Sequence, residues 1–212
     1  SHVAKQVQMG LYSAVFVDEN STTKEAYPGV FYDSWVVMLY SEVDPALHAP
    51  AATAKPLNYK PKYFMVNGQA DGYASLLSPD INQQVLVRFI NAGLKEYAPT
   101  LLGEYLQFVA EDGNLYPYPR TGYGALLAPG KTLDALWTTV TPGAHPVYDR
   151  RLHLSTNGVP GGGLLASIWV NDVAGVPIAN AGPDQTHVAM FTGGLPTVVH
   201  LDGSASSTTA TG

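Results

Sequence analysis

The stretch WVVMLYSEV, residues 35–43, begins a regular series of short runs that are apolar or that alternate apolar with polar residues. Runs of this length, bounded by turn residues and rich in β-branched and aromatic side chains, are typical of β-strands. The runs that follow are YFMVNG (63–68), QVLVRFINAG (84–93), YLQFVAEDGN (105–114), TLDALWTTV (132–140) and RRLHLST (150–156). The sequence therefore predicts six or seven strands in this part of the chain.

The segments between these runs carry the residues that tight turns need. Residue pairs that accept positive φ angles are Asn67-Gly68, Asp71-Gly72 and Asp112-Gly113. In Pro129-Gly130, the proline has a fixed φ angle and the glycine allows a positive one. No segment predicts a helix longer than two turns. We therefore expect low helical content.

The composition supports an all-β protein. Charged residues make up 13% of the chain, whereas an average globular protein has about a quarter. The 21 glycines, 16 prolines and 13 tyrosines favour many turns and half-buried strands. A hydrophobic share of 46% is enough for a packed core.

Charge and cysteine content exclude several functions. The net charge of −6, with scattered lysines and arginines, argues against nucleic acid as a partner. No apolar run is long enough to predict a membrane span. Because the chain has no cysteine, it cannot form a disulfide, and it cannot by itself build a blue copper centre, which needs two histidines and a thiolate.

Both ends of the chain differ from the regular middle. Met9–Asp18, MGLYSAVFVD, predicts a strand without a neighbour in sequence, and it is followed by a polar stretch. Towards the other end, GVPGGG at 158–163 marks a boundary, and LLASIWV at 164–170 predicts one more strand.

The last segment, residues 177–212, resembles the opening of a PKD domain, an Ig-like sandwich. Its pattern ANAGPDQT at 179–186 is followed by VHLDGSAS at 199–206, and the sequence ends at residue 212. Two strands alone bury too little area to be stable. We expect an incomplete Ig-like segment here.

Ser1–Leu11, SHVAKQVQMGL, is similar to a copper-binding run of multicopper oxidases, H-S-H-x-x-x-Q-x-x-x-G-L, without its first histidine. The middle of the chain adds to this resemblance in the family's order, in YDSWVVMLYSEVDPALH (32–48), YKPKYFMVNG (59–68), VRFINAG (87–93), LLGEYLQFVAEDGN (101–114) and APGKTLDALW (128–137). The likeness covers about residues 1–175 and points to the second cupredoxin domain of bacterial members.

The resemblance implies a domain plan and a fold. Residues 1–18 would be the C-terminal edge of a first cupredoxin domain, 19–34 a linker, 35–157 a middle cupredoxin-like domain and 158–176 a Gly-rich linker with an extra strand. The fold would be a cupredoxin-like Greek-key β-sandwich or barrel. The localisation would be extracellular, periplasmic or at a bacterial cell surface.

The resemblance also implies the chemistry. His2 would be a ligand of a type 3 copper, and the remaining copper ligands, including the blue-site cysteine, would lie elsewhere in a longer parent. Copper-dependent oxidation of a substrate would be coupled to reduction of dioxygen to water, and this chain alone would be inert. Its partners would be the rest of the parent polypeptide or neighbouring copies that complete truncated sheets.

The other candidate ligands have structural interpretations that we favour. The remaining histidines show no H-x-H, H-x-x-H or H-E-x-x-H spacing and are His48, His145, His153, His187 and His200. The Glu111-Asp112 pair is predicted to be a turn rather than a catalytic pair. Several acidic residues could in principle bind calcium, but the sequence has no D-x-D-x-D-G loop. We interpret these acids as solvated loop residues: Asp18, Glu19, Asp44, Asp71 and Asp80.

One alternative of a different class remains. The cupredoxin-like and PKD-like pieces can instead serve as adhesive or assembly modules of a surface protein, with no copper chemistry. Pairing of residues 9–17 or 178–202 with another chain would support this hypothesis. The aromatic run LYPYPRTGY at 115–123 is interpreted as packing, with a contact surface as the second possibility.

Overall fold

The computed structural model describes residues 4–50, 56–71, 74–76 and 78–172. The chain divides into two compact units, Ser1–Asn171 and Asp172–Gly212, and every element described below belongs to the first. The PKD-like segment at 177–212 lies outside the described residues, as do His2, His187 and His200. What the sequence predicts for them therefore stays a prediction.

The regular elements of the first unit are almost all strands. They are β1 (Glu25–Tyr27), β2 (Val30–Phe31), β3 (Ser34–Val43), β4 (Tyr63–Val66), β5 (Ala74–Ser75), β6 (Gln84–Asn91), β7 (Pro99–Leu101), β8 (Leu106–Glu111), β9 (Asn114–Gly122), β10 (Thr132–Thr138), β11 (Gly143–Asp149), β12 (Ser155–Thr156), β13 (Val159–Pro160) and β14 (Leu165–Val170). A short helix, α1 (Ala4–Gln8), precedes them, and 3-10 turns lie at Pro45–His48 and Pro56–Asn58. The predicted all-β class with little helix is confirmed. No helix of the described residues is long and apolar enough to cross a membrane.

The larger sheet has six strands in the order β4-β3-β6-β10-β8-β9. Strands β3 and β6 run parallel, and the other neighbours are antiparallel. Burial alternates along the first part of β3, so Val36, Met38 and Tyr40 point into the core. This is the period of two that the apolar runs predict.

The smaller sheet has four strands in the order β5-β14-β11-β7. Its strand β14 corresponds to the predicted extra strand at 164–170, and it pairs antiparallel with β11 over six residue pairs. Ala166, Ile168 and Val170 of β14 are fully buried. They belong to the same core cluster as Met38 and Phe89 of the larger sheet, so β14 is an integral strand of the sandwich.

A small hairpin, β1–β2, covers part of the outer face of the larger sheet. Ala26 and Tyr32 pack on Leu86, and Val30 packs on Val109. The segment 19–34, predicted to be a linker, therefore contains paired strands with a buried apolar side. Their shortness, two or three residues each, hides them from sequence patterns that need four or more residues.

Tight turns form at two of the predicted positions, whereas Gly72 of the predicted Asp71-Gly72 turn lies outside the described residues. Asp112 and Gly113 have φ angles of 50° and 75°, and they join β8 to β9 with Glu111 opposite Asn114. Asn67 and Gly68 have φ angles of 52° and 79° and close a second hairpin. Two successive positive φ angles define the type I′ turn, whose twist suits antiparallel strands. The turn interpretation of Glu111-Asp112 is confirmed.

The predicted strand at Met9–Asp18 is wrong. Residues 11–18 belong to no helix or strand of the described part of the chain. Instead, side chains of this segment contact the sandwich. The Tyr12 hydroxyl donates to Ser41 Oγ at 2.8 Å, and the ring centroids of Phe16 and Trp35 are 5.5 Å apart. The Asp18 carboxylate forms an ion pair with Arg88. The alternation of residue types in this segment therefore reflects side-chain contacts with the larger sheet, and not backbone hydrogen bonds to a neighbouring strand.

The predicted strand RRLHLST at 150–156 is also largely wrong. Residues 150–151 form a turn, Leu152 has a φ of 62°, and only Ser155–Thr156 is paired. The strand lies just before it, as β11, whose Pro146 had obscured the pattern. Likewise β9 was missed because Pro117 and Pro119 interrupt it, and a strand at the sheet edge tolerates both prolines.

Candidate functional site

The helix that follows His2 in the sequence is held to the sandwich by one buried side chain. Gln8, the last residue of α1, is 1% exposed. Its Nε2 donates to the Glu42 carbonyl at 3.0 Å and to the Tyr59 hydroxyl at 2.8 Å, and its Oε1 accepts the Asp44 amide at 2.8 Å. With three hydrogen bonds and no exposure, Gln8 fixes α1 against the end of β3.

Two further contacts hold the same helix. His48 Nε2 donates to the carbonyl of Gln8 at 2.9 Å, and Lys5 Nζ donates to the carbonyl of Ala49 at 2.9 Å. The 3-10 turn that presents His48 is capped by Asp44, whose Oδ1 accepts the Ala46 amide at 3.0 Å. His48 therefore has a structural role, as the sequence predicts.

The Glu42 carboxylate lies next to this anchor and is buried. Its Oε1 accepts from the Tyr59 hydroxyl and the Leu94 amide, both at 2.6 Å, and from the Lys95 amide at 3.0 Å. Its Oε2 accepts from the Tyr97 hydroxyl. Burial, together with Glu42, raises the pKa of the Tyr59 and Tyr97 hydroxyls above the ordinary value. Both tyrosines therefore remain protonated donors at physiological pH.

The sequence analysis did not predict the buried hydrogen-bonding roles of Gln8 and Glu42, although the position of Glu42 in its strand offered one signal. Glu42 has the same parity along β3 as Met38 and Tyr40, so the strand pattern places its side chain on the core side. A carboxylate at such a position needs hydrogen-bond donors around it. Gln8 carried no comparable signal because its partners lie more than thirty residues away in sequence.

His153 is held by a buried carboxylate. Its Nδ1 lies 2.5 Å from Asp149 Oδ2, and its ring centroid is 4.5 Å from that of Phe64. Asp149 is fully buried, and its Oδ1 accepts the Ala98 amide at 2.7 Å. Burial alone would raise the pKa of the Asp149 carboxyl, but hydrogen bonds from His153 and from two backbone amides outweigh it, and the pKa is lowered.

His145 is similarly occupied by protein groups. Its Nε2 donates to the carbonyl of Thr141 at 2.8 Å, and its Nδ1 lies 3.3 Å from Glu104 Oε1. Its ring packs against Trp137 with centroids 5.0 Å apart. Both described histidines of the 145–153 segment therefore have the structural roles that their spacing predicts.

The acids weighed as calcium ligands do not converge. Asp18 pairs with Arg88 and accepts the Tyr32 hydroxyl, and Asp80 Oδ1 accepts from Asn171 at 3.1 Å. Asp44 is only 3% exposed, so its interpretation as a solvated loop acid is wrong. Its carboxylate instead caps a 3-10 turn and accepts the Lys60 amide. These carboxylates hold loops against the sandwich.

The described residues do not fit a copper centre. Nowhere in the described ranges do three or more His, Cys, Asp or Glu side chains come together in an arrangement able to hold a metal ion. The chain has no cysteine, and the nitrogens described for His48, His145 and His153 are directed at protein oxygens. The proposed ligand His2 lies outside the described residues, and the anchored helix begins two positions after it in the sequence.

Comparison with known proteins defines the class of fold. No protein-family model matches the sequence. No curated protein matches it either. Solved structures do match, and the first unit is a cupredoxin-like β-sandwich, which confirms the predicted fold class.

The solved structures similar to this chain include copper proteins. A blue copper oxidase from Nitrosomonas europaea matches with a TM-score of 0.55 and 20% identity, over 64% of this chain and 43% of that one. The multicopper oxidase mgLAC matches with a TM-score of 0.56 and 24% identity, over 65% and 44%. A Cu-containing nitrite reductase from Thermus scotoductus SA-01 matches with a TM-score of 0.52 and 16% identity, over 68% and 32%. The chain spans less than half the length of these proteins, and the likeness is one of fold.

Replacing Gln8 should release α1 from the sandwich. Gln8→Ala removes three hydrogen bonds and leaves the Asp44 amide without its acceptor, so we expect a loss of about 1–3 kcal/mol in the free energy of unfolding. Hydrogen exchange at the Met9, Gly10 and Leu11 amides, which bond to α1 carbonyls, should become faster.

The matched control is Lys5→Ala in the same helix. It removes one exposed hydrogen bond and should change stability by less than about 0.5 kcal/mol. Equal effects of the two substitutions would show that Gln8 does not anchor the helix.

Proposed function

We propose that this chain is part of an exported copper-dependent oxidase, to which it contributes a cupredoxin-like sandwich while copper is held mainly by residues outside it. The observation that carries the proposal is the likeness of the sandwich to a blue copper oxidase and a multicopper oxidase. Because the chain spans less than half of those proteins, a complete enzyme would need further domains.

The sequence of the first eleven residues supports the same function. Ser1–Leu11 resembles the copper-binding run of multicopper oxidases, in which His2 would be a type 3 copper ligand. The helix directly after it, α1, is fixed by Gln8, His48 and Lys5. A rigid support for a ligand-bearing segment is what a metal site requires.

The reaction would be oxidation of a substrate coupled to reduction of dioxygen to water. Copper would supply the redox chemistry, and the residues described here would act as the support. The localisation would be extracellular, periplasmic or at the cell surface, as for the family that the sequence resembles.

The partner of the sandwich would be the rest of the parent polypeptide. Residues 11–18 lie on the larger sheet through Tyr12, Phe16 and Asp18, while Val15 and Val17 remain more than 80% exposed. A segment with exposed β-branched side chains is suited to pairing with another strand. In an oxidase, that strand would belong to the preceding cupredoxin domain.

The same segment supports a second candidate function, a structural module that joins neighbouring copies by strand addition. In that case the exposed side of residues 11–17 would pair between molecules, and no copper would be required. The two candidates differ in metal content and in state of association.

The test uses the full natural polypeptide that contains this chain. We expect bound copper, the strong blue absorbance of a Cu(II)–thiolate centre, and oxygen uptake with phenolic or metal-ion substrates. His2→Ala should lower oxygen turnover at least about tenfold and reduce the copper content, whereas His187→Ala should change neither. A polypeptide without copper and without oxidase turnover would reject the oxidase, and copper-free association through residues 11–17 would establish the structural module.

A further inference from the structure

A shallow cleft on the first unit is lined by three tyrosines and an arginine. Tyr105 precedes β8, Tyr123 follows β9, and Tyr148 and Arg150 lie at the end of β11. The volume of the cleft is about 410 Å³, which is within the range of small-molecule sites. Its lining residues are far from the N-terminal helix in sequence and have no part in the function proposed above.

Two of the tyrosine rings are open to solvent. The side chains of Tyr105 and Tyr123 are 68% and 47% exposed. Their ring centroids are 6.4 Å apart, with the planes inclined at 69°. Aromatic rings in this edge-to-face arrangement favour a further flat ring at similar distances. The cleft therefore offers a surface for an aromatic ligand.

Arg150 supplies a positioned positive charge. Its Cζ lies 5.1 Å from the centre of the Tyr123 ring, and its Nη1 donates to the Tyr123 hydroxyl at 3.3 Å. Among the described residues, no carboxylate lies within ion-pair distance of Arg150. A planar guanidinium matches the two oxygens of a carboxylate.

A second arginine on the same unit shows what is special about Arg150. Arg120 stacks on Tyr116 at 4.7 Å, but it also lies 3.8 Å from the Glu111 carboxylate. Its charge is therefore compensated by the protein. Both arginines therefore lie over a tyrosine ring, but only Arg120 also has a carboxylate nearby.

Glu104 provides an acceptor in the same cleft. Its side chain is 15% exposed, and its Oε1 lies 3.3 Å from His145 Nδ1. A carboxylate has more acceptor sites than this contact uses. A hydroxyl group of a ligand can donate to it, whereas a second carboxylate would be repelled.

We propose that the cleft binds a small aromatic carboxylate with a ring hydroxyl, of the hydroxybenzoate class. The ligand's carboxylate pairs with Arg150, its ring packs on Tyr105 and Tyr123, and its hydroxyl donates to Glu104. The proposal does not rest on copper, so its test and that of the oxidase are independent.

Titration calorimetry and ligand-observed NMR on the 212-residue protein test the ligand class. We expect 4-hydroxybenzoate to bind with a Kd of about 1 mM, since it is a small ligand in an open cleft. Cyclohexanecarboxylate, which lacks the aromatic ring, and phenol, which lacks the carboxylate, should each bind about tenfold more weakly or not at all. Glucuronate that binds as tightly as 4-hydroxybenzoate would show a sugar-acid site and overturn the proposal, as would absence of binding by 4-hydroxybenzoate.

Substitutions test the residues. Arg150→Gln should weaken binding of 4-hydroxybenzoate about tenfold or more, and Tyr105→Leu should also weaken it. Arg120→Gln is the matched control and should leave the Kd unchanged. All three side chains are exposed, so the thermal unfolding temperature should stay close to that of the parent protein. Equal losses for Arg120→Gln and Arg150→Gln would mean nonspecific attraction and contradict the proposal.

Discussion

Replacing Glu42 by alanine should destabilise the sandwich by about 3–5 kcal/mol, because several buried donors would lose their acceptor at once. The carboxylate accepts the hydroxyls of Tyr59 and Tyr97 and the amides of Leu94 and Lys95. The Tyr97 hydroxyl is fully buried, and the other three hydrogen bonds are partly buried. The loss would be a large part of a total stability of about 5–15 kcal/mol.

The measurement is equilibrium unfolding in urea. Glu25→Ala is the control, since Glu25 also accepts a backbone amide, that of Gly29 at 2.7 Å, but at an exposed position. It should cost about 1 kcal/mol or less. If Glu42→Ala proves too unstable to purify, Glu42→Gln and Tyr97→Phe, alone and combined, give the coupling between the two side chains. A change below about 1 kcal/mol for Glu42→Ala would contradict the network.

The regular strands were predictable because their side chains obey local rules. In WVVMLYSEV and QVLVRFINAG, the short apolar runs and the turn residues that follow them indicate strands. The structure has β3 and β6 at these positions. The hairpin turn at Asp112-Gly113 was also predictable, because a turn of this type depends only on the φ angles of two adjacent residues.

The incorrect predictions concern features that depend on a distant partner. MGLYSAVFVD has a strand's alternation, but a strand also needs a neighbouring backbone, and residues 11–18 have only side-chain contacts with the described sheets. Pro117 hid β9, since sequence alone does not reveal which strand lies at an edge. Pro146 hid β11, an inner strand that lies between β14 and β7 and contains a proline all the same.

In the candidate site, too, the local motif was predictable from sequence, and the contacts between distant residues were not. A contiguous motif predicts His2 as a copper ligand, which stays a prediction, whereas the anchor of the helix α1 joins Gln8 to residues between 42 and 59. The tyrosine cleft likewise joins residues from three separate segments, around 105, 123 and 150. No spacing rule connects such positions before the fold is known.

Replacing Gly163 by alanine should be far more costly than replacing Gly158, although both glycines have positive φ angles, of 74° and 80°. An added Cβ at Gly163 would overlap the carbonyl oxygen of His153 and lie 3.0 Å from the Ser155 amide nitrogen. Both are backbone atoms, which cannot move aside like a flexible side chain. At Gly158, nothing lies within 4 Å of such a Cβ, so only the cost of the left-handed conformation remains, about 1–2 kcal/mol.

The expected difference between the two variants is at least about 2 kcal/mol, which is the range for forcing an extra carbon into a packed site. Urea unfolding midpoints measure it, provided that the slopes agree. Hydrogen exchange should locate the damage, because Gly163 donates to the Ala70 carbonyl and Leu164 donates to that of His153, immediately before β14. The expected pattern is faster exchange in β14 of Gly163→Ala and unchanged exchange in β14 of Gly158→Ala. Equal shifts in the two variants would mean that the loop at 153–155 yields to the added Cβ, and the smaller sheet would then not depend on that close approach.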